Sequence, residues 1–289
     1  MKAKQNRQVY GYVPDYFTKI IRLLCSALKK ILFLTGDNRF SNEFIQCLDP
    51  KTSVPWNGKA IYFRTGHGRL KWRADTFYTE EPLMIEWLSK LTPNDIFLDI
   101  GANVGTYTVP AAKIAKHVIC AEMDPINVGI LYENLFLNGL TDKVTIIPFG
   151  LGAQNSLEAI YYRDFSKGDA LQSIARPSPF KTHTSSRAHK ALQIIGKLDT
   201  IFDTFNLPQP NKIKIDVDGN ERPLFEGGIR LITSADEIYF EDSGLEDSTY
   251  VVNRLLSSGF YITQSAEVNV SGLSAHNRIF TRLDRRCKP

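Results

Sequence analysis

The sequence lacks the paired cysteines and histidines that mark metal sites and disulfide frameworks. Its four cysteines are scattered without a C-x-x-C pair, and its five histidines form no HExxH motif and no pair at i and i+4. We therefore predict no metal site and a reducing compartment, the cytoplasm. The cysteines are Cys25, Cys47, Cys120 and Cys287.

A secretory signal and an uninterrupted apolar run are also missing. The first seventeen residues are polar, so we expect no signal peptide. Residues 17–35 have apolar residues at helical spacing, but Lys19, Arg22, Lys29 and Lys30 interrupt the run and argue against a membrane span. Two interpretations stay open: a helix packed on the domain, or a basic helix in peripheral contact with a membrane surface.

Neither sign of charge dominates the composition. The net charge of +4 is too small to indicate a nucleic-acid partner by itself, and 43% apolar with 23% charged residues is ordinary for a globular protein. The 289 residues suit one large domain with an extension. We predict an N-terminal extension over residues 1–75, consisting of the amphipathic helix and a small β cap with GRLKWRADTF as one strand, and a main domain over residues 76–289.

Apolar strands alternate with helical segments along the main domain. The strand patterns DIFLDIG, HVICAE and KVTIIPFG are separated by helical patterns, and the alternation returns at KIKIDVDG and EIYFE. This order is typical of an α/β fold with a doubly wound, mostly parallel sheet. Residues 166–190 are polar and predict a long loop, a feature that in compact domains is often functional.

The most informative local pattern is DIFLDIGANVGTYTV, in which a buried strand leads through glycines into a helix. Gly101 and Gly105 let the backbone turn tightly and approach a ligand closely, and the helix start offers unpaired N–H groups. The spacing is GxxxG rather than the GxGxxG of dinucleotide sites, and Asp99 at the strand end disfavours a pyrophosphate. A cationic ligand such as a sulfonium with an amino-acid tail suits this site, with Asn103 also in the loop.

A second acidic residue lies where nucleoside sites bind ribose. Glu122 ends the next strand, 21 positions after Gly101, and an acid there accepts hydrogen bonds from ribose hydroxyls in doubly wound folds. Gly150 and Leu151 follow the third strand and are predicted to border the adenine by backbone and apolar contact. The sequence therefore predicts a nucleoside-sized pocket.

Charged residues cluster at the end of the strand KIKIDVDGNE. Period-two alternation puts Lys214, Asp216 and Asp218 on one face, at the strand end where ligands bind in open α/β sheets. The pattern fails as a calcium loop, because its sixth position is Glu221 instead of glycine and its twelfth is Gly227 instead of glutamate.

Together these segments resemble the FkbM family of methyltransferases. The resemblance is carried in order by TFYTEEPLMIEWL, FLDIGANVGTYTV, AEMDPINVGILYENLFLNG, KLDTIF and IKIDVDGNE, over roughly residues 76–243. It implies a class I, Rossmann-like methyltransferase fold, S-adenosyl-L-methionine as cofactor, and O-methylation of a hydroxyl on a saccharide or small metabolite. Asp218 stands where the family has the glutamate of DxEG. The implied cofactor residues are Asp99, Gly101, Asn103, Gly105 and Glu122, and the implied signature residues are Lys214, Asp216 and Glu221.

Methyl transfer to a hydroxyl requires positioning and a base, because the reaction is a displacement at the sulfonium carbon. We expect Asp216 to be the base. Lys214 either tunes that carboxylate, orients the acceptor oxygen, or forms an ordinary ion pair.

Three alternatives remain. A nicotinamide-dependent oxidoreductase is disfavoured by the GxxxG spacing and by Asp99. A nucleic-acid methyltransferase is permitted by the basic N-terminal segment but disfavoured by IDVDGNE, where amino-group enzymes of that kind resemble one another in an NPPY-like string. A catalytically silent module that binds a membrane surface is disfavoured by the intact glycine loop. The sequence contains no pattern that indicates an oligomeric state.

Overall fold

The computed structural model describes Tyr16, Lys19, Ile20, Lys30 and residues 23–27, 50–162, 167–168, 173–174, 189–270 and 273–283. Contacts divide the chain into two units, Met1–Pro50 and Lys51–Pro289. In the first unit, the described residues between Tyr16 and Lys30 are helical and exposed. Among the residues described, no helix is long and apolar enough to cross a membrane.

Among the described residues, the second unit contains all the strands and the remaining helices. The strands are β1 (Lys51–Trp56), β2 (Lys59–Arg64), β3 (Ile96–Ile100), β4 (His117–Ala121), β5 (Val144–Ile147), β6 (Gly150–Leu151), β7 (Ser156–Tyr162), β8 (Ser173–Ile174), β9 (His189–Gly196), β10 (Lys212–Ile215), β11 (Glu237–Asp242), β12 (Phe260–Val270) and β13 (Leu273–Arg282). The α-helices are α1 (Gly68–Asp75), α2 (Pro82–Ser89), α3 (Thr108–Ile114), α4 (Pro125–Leu137), α5 (Leu198–Phe205), α6 (Glu221–Gly227), α7 (Ile229–Ser234) and α8 (Glu246–Ser257).

A seven-stranded sheet has the order β12-β13-β11-β10-β3-β4-β5. The five strands from β11 to β5 are parallel, and β13 and β12 add an antiparallel edge. Neighbouring residues face opposite sides, since Phe97 packs with α2, α3 and α4 while Leu98 packs with α5 to α8. The predicted doubly wound α/β fold is confirmed.

One predicted strand is wrong. The segment GRLKWRADTF forms helix α1, whose start is capped by the His67 side chain accepting from the Arg69 N–H at 3.4 Å. Leu70 and Ala74 are both buried and lie four residues apart, which is helical spacing. The same two residues with Trp72 between them also satisfy a period of two, so the pattern fits both interpretations.

The hairpin formed by β1 and β2 packs against the sheet. Trp56 and Phe63 join the core cluster that contains Trp87 and Phe97. Asn134 of α4 and Asn138, which directly follows this helix, accept hydrogen bonds from backbone N–H groups of β2 at 2.8 and 2.9 Å. Residues 51–75 therefore belong by their contacts to the larger unit, whereas the sequence predicts them to be part of the N-terminal extension. The predicted boundary between residues 75 and 76 stays a prediction.

A second, four-stranded sheet of order β6-β9-β7-β8 follows β5. Strand β8 and the first two residues of β9 fall within residues 166–190, where a long loop was predicted. The described parts of that segment are a turn at Lys167–Gly168, the short strand β8 and the first residues of β9. The other residues of the predicted loop lie outside the described residues.

Candidate active site

A cavity lies at the carboxyl ends of β3, β4 and β10, beside the point where the strand order reverses between β3 and β10. Open α/β sheets bind ligands at this point. The space among its lining residues is about 890 Å³, which includes open solvent at the mouth. Seven of the predicted site residues line it: Gly101, Asn103, Glu122, Gly150, Leu151, Lys214 and Asp216. The other two, Asp99 and Gly105, do not.

Asp99 lies behind the cavity wall. Its side chain is buried, and one carboxylate oxygen accepts a hydrogen bond from the Thr108 hydroxyl at 2.6 Å. The other oxygen lies 3.6 Å from Nζ of Lys214. Burial raises the pKa of Asp99, and Lys214 opposes that rise. Asp99 therefore compensates the charge of a buried lysine instead of facing a ligand, contrary to the expectation that it contacts a cationic one.

The two glycines of the loop serve backbone packing. Gly101 has a φ of +80°, and an added Cβ would lie 1.8 Å from the carbonyl oxygen of Asp216. Gly105 has a φ of +84°, and its Cβ would lie 2.5 Å from Cδ1 of Leu131. The sequence predicts that the backbone at these glycines approaches a ligand closely. At Gly101 the close approach is instead to the backbone of Asp216, the residue that follows β10. An alanine at position 101 would thus press the two central strands apart.

Glu122 fixes the loop that borders the cavity. Its carboxylate accepts hydrogen bonds from the backbone N–H groups of Asn103 and Asp124, both at 2.7 Å. Asn103 has a φ of +51°, an uncommon conformation for a residue other than glycine. Burial raises the pKa of Glu122 to about 7, although the two N–H donors oppose the rise. Each oxygen of this carboxylate keeps a further lone pair for a ligand hydroxyl.

An apolar slot continues from Glu122. Gly150 and Leu151 form the short strand β6, and Phe149 and Leu224 line the same wall. An added Cβ at Gly150 would lie 2.5 Å from Ile195, so the narrow strand is held by close packing. The Leu151 carbonyl accepts a hydrogen bond from the Asn220 side chain at 2.8 Å. This slot is apolar and edged by backbone groups, which suits an aromatic base.

Lys214 joins the cavity to the interior of the sheet. It is paired in register with Asp99 on β3 and with Tyr239 on β11, so the three side chains form a row across neighbouring strands. Its ammonium donates to Asp216 at 2.8 Å, and its side chain is 1% exposed. Although burial favours the neutral amine, Asp216 and Asp99 together with Glu81 raise the pKa of Lys214.

Asp216 is the accessible member of this pair, with 27% of its side chain exposed. Burial opposes ionisation, but Lys214 and a hydrogen bond from Glu241 lower the pKa of Asp216 to about 2. The charge of Asp216, followed by burial, raises the pKa of Glu241 well above its usual range. The two carboxyl groups therefore titrate as a coupled pair in which ionisation is favoured at Asp216 over Glu241.

A further polar cluster, not predicted from the sequence, lies at the same end of the cavity. Glu81 lines the cavity and accepts hydrogen bonds from the hydroxyls of Tyr107 at 2.9 Å and Tyr239 at 3.0 Å. The Asn277 side chain donates to it at 3.3 Å. Burial and the charge of Asp216 raise the pKa of Glu81, opposed by Lys214. In the sequence, Glu81 is marked as a candidate site residue only by its position within TFYTEEPLMIEWL, one of the segments that resemble the family.

The remaining signature residues divide between cavity and interior. Asp218 lines the cavity, whereas Glu221 is buried at the start of α6. Glu221 accepts from the Gly219 N–H at 3.3 Å and the Ser243 hydroxyl at 3.4 Å, and burial raises the pKa of Glu221 to about 7. Glu221 therefore holds the loop that carries Asp216 and Asp218.

Comparison with known proteins identifies the family. The sequence profile described as Methyltransferase FkbM domain matches residues 99–261, which is more than half of the chain. The chain belongs to the FkbM methyltransferase family. The matched segment runs from Asp99 at the end of β3 to Tyr261 in β12, so it includes most of the cavity but not helix α1 or Glu81.

Relatives of this FkbM methyltransferase differ in name and coverage. The hexuronic acid methyltransferase AglP of Haloferax volcanii is 24% identical over 205 residues, covering 68% of this chain and 76% of that protein. The tRNA (guanine(37)-N(1))-methyltransferase of Anopheles gambiae is 28% identical over 114 residues, covering 39% of this chain and 20% of that protein. The solved methyltransferase FkbM of Methylobacillus flagellatus is 17% identical with a TM-score of 0.46, covering 67% of this chain and 46% of that one. This chain thus spans about half the length of that solved protein.

Proposed function

We propose that this protein transfers a methyl group from S-adenosylmethionine to a hydroxyl group of a saccharide or small metabolite. The observation that carries the proposal is the division of one cavity into two chemically different ends. One end has the Glu122 carboxylate beside an apolar slot, and the other has the carboxylates of Asp216 and Glu81.

The first end fits the nucleoside part of the cofactor. Ribose presents two hydroxyl donors, for which the buried Glu122 carboxylate has free lone pairs. The adenine ring suits the slot formed by Phe149, Leu151 and Leu224. When bound, this cofactor supplies an electrophilic methyl group. We assign Gly101, Asn103, Glu122, Gly150 and Leu151 to its binding, and Asp99 and Gly105 to the support of that surface.

The second end suits an acceptor that donates hydrogen bonds. Asp216 and Glu81 are acceptors toward the cavity, and hydroxyl groups of a saccharide are donors, so the two match. The relative that acts on a hexuronic acid supports the same acceptor class. A nucleic-acid acceptor is the alternative, supported by the partial match to a tRNA methyltransferase.

The direct test measures methyl transfer from labelled S-adenosylmethionine to panels of saccharides, small hydroxylated metabolites and tRNA. We expect label in the saccharide or metabolite fractions, as an ether that resists mild base. A base-labile ester would mean a carboxyl acceptor, and label in tRNA alone would contradict the proposal. Catalysis-independent binding is tested in parallel by thermal shift, with S-adenosylhomocysteine expected to raise the melting temperature and NAD to leave it unchanged.

Glu122→Ala should weaken binding of S-adenosylhomocysteine by about 1–3 kcal/mol, because charge-assisted hydrogen bonds to the ribose are lost. Calorimetry provides the measurement, with circular dichroism as the check that the variant folds. The pH dependence is the internal control. Ionised Glu122 is the stronger acceptor and its pKa is about 7, so wild-type affinity should rise as pH increases through that value, whereas the variant should show no such rise. Equal affinities at pH 8 would remove Glu122 from the site.

We also propose that residues 17–35 contact a membrane surface, since apolar Ile20, Leu23 and Leu24 are 48%, 71% and 62% exposed. The basic residues of this segment would each contribute about 1 kcal/mol at an anionic surface. We expect salt-sensitive cosedimentation with phosphatidylserine vesicles and none with phosphatidylcholine alone. A chain that starts near Asp37 should lose this binding and keep its melting temperature; a large loss of stability would instead indicate that the helix packs on the domain.

A further inference from the structure

Helix α1 places one cationic side chain in the wall of the cavity. Arg73 lies on this helix, 26 positions before the segment matched by the family profile begins at Asp99. Among the described residues, the cavity wall has two basic side chains, Arg73 and Lys214. Lys214 is paired with Asp216 and Asp99, whereas no described carboxylate lies within ion-pair distance of Arg73. Arg73 is therefore the cation that the cavity has free for a ligand.

Arg73 is held in place without its charge being neutralised. Its Nε and one terminal nitrogen donate to the Gly168 carbonyl at 3.3 and 3.2 Å. Gly168 in turn donates its N–H to the side chain of Asn127 on α4 at 2.9 Å. A guanidinium has five N–H donors, so three remain for another partner. An anchored guanidinium is preorganised for binding because little side-chain entropy is lost when a ligand arrives.

Gly168 is specifically suited to this role. Its φ is +76°, and an added Cβ would come within 3.0 Å of Leu70 on α1 and 3.8 Å of Nε of Arg73. A side chain there would strain the turn and press on Leu70 of the helix that carries Arg73. Gly168 lies inside the segment where the sequence predicted a long loop. Its hydrogen bonds with Arg73 connect that segment to the cavity wall.

The cavity otherwise presents carboxylates. Glu81, Glu122 and Asp216 all line it, and the charge of Arg73 acts on Glu122 and Asp216 through space. A ligand with a carboxylate of its own would be repelled here without a cationic partner. S-adenosylmethionine has such a group, the α-carboxylate of its methionine tail.

We propose that Arg73, which the turn at Gly168 holds in position, binds the α-carboxylate of the cofactor. The assignment rests on the proposed use of S-adenosylmethionine. This assignment extends the cofactor site beyond the segment that the family profile matches. The added parts are helix α1 and the turn at Gly168.

The test compares two ligands that differ in the amino-acid tail. S-adenosylhomocysteine has the tail, whereas 5′-methylthioadenosine keeps adenine, ribose and sulfur but lacks it. For Arg73→Met, calorimetry should show binding of S-adenosylhomocysteine weakened about 10- to 100-fold, with methylthioadenosine affinity within about two-fold of wild type. Lys71→Met is the matched control, because Lys71 lies on the same helix, is exposed, and pairs with Asp75 at 2.8 Å away from the cavity. It should change neither affinity.

Arg73→Gln provides a second variant, since glutamine keeps a donor for Gly168 but has no charge. It should show the same selective loss. Equal weakening of both ligands would mean that Arg73 only supports the fold, and unchanged affinities would mean that it serves another ligand such as the acceptor; either result overturns the proposal. If wild-type protein binds neither ligand, the proposed use of S-adenosylmethionine itself fails.

Discussion

Lys214→Met is expected to lower the free energy of unfolding by about 3–5 kcal/mol, the usual effect of removing one partner from a buried ion pair. The lost ammonium is the counter-charge of two carboxylates. Asp99 is 1% exposed, and its second oxygen has no other hydrogen-bond partner. Asp216 would lose its donor at 2.8 Å. Urea unfolding at pH 7 measures the effect.

The pH dependence separates lost charge from lost packing. The folded-state pKa of Asp99 is already raised by burial, and removal of Lys214 raises it further. A carboxyl group with a raised folded-state pKa destabilises the fold as pH rises through that pKa, and the penalty disappears below its unfolded value. The deficit of Lys214→Met should therefore shrink as pH falls from 7 toward 4. A deficit that is constant with pH would indicate that packing alone was lost.

Lys212→Met is the matched control on the same strand. Lys212 pairs with Glu237 at 2.8 Å, but its side chain is 18% exposed. A partly solvated pair of this kind contributes about 1 kcal/mol or less. Equal losses of stability in the two variants would contradict the prediction that the buried ion pairs of Lys214 stabilise the fold more than the partly exposed pair of Lys212 does.

The alternation of strands and helices was sufficient to predict the sheet and the place of the cavity. Apolar runs such as IFLDI and HVICA are buried on both sides, as parallel strands require. Glu122 directly follows HVICA and Asp216 directly follows KIKI, and both line the cavity. The strand order β10-β3-β4 brings their positions together.

Side-chain direction was less predictable. Asp99 is the last residue but one of β3 and Glu122 directly follows β4, yet Asp99 points to the face where Lys214 stands in register on β10. Without the register between β3 and β10, nothing in the sequence distinguishes an acid that faces a ligand from one that compensates a buried lysine. The Glu81 cluster was hidden for a similar reason, because Tyr107, Tyr239 and Asn277 are separated by long stretches of chain and meet only through tertiary packing.

Asp216→Asn should leave the affinity for S-adenosylhomocysteine within a few-fold of wild type but lower turnover by about 10²–10⁴, the usual contribution of a general base. The substitution keeps the size of the side chain and removes its capacity to take a proton. The pKa of Asp216 is about 2, which makes it a weak base. A weak base is sufficient for the proposed hydroxyl acceptor, because that hydroxyl becomes strongly acidic as its oxygen bonds to the methyl carbon, so the proton leaves late in the reaction.

The pH profile of kcat, measured at saturating cofactor so that Glu122 does not contribute, identifies the base. If Asp216 accepts the proton, kcat should be flat from about pH 5 to 8, because a group with a pKa of about 2 stays ionised throughout. The charge of Asp216 and burial raise the pKa of Glu241, and Glu241→Gln keeps a donor toward Asp216, so this control should retain turnover within about ten-fold. A profile that rises with pH across the measured range, together with a loss in Glu241→Gln as large as in Asp216→Asn, would transfer the role of base to Glu241 and leave Asp216 as the group that positions the acceptor.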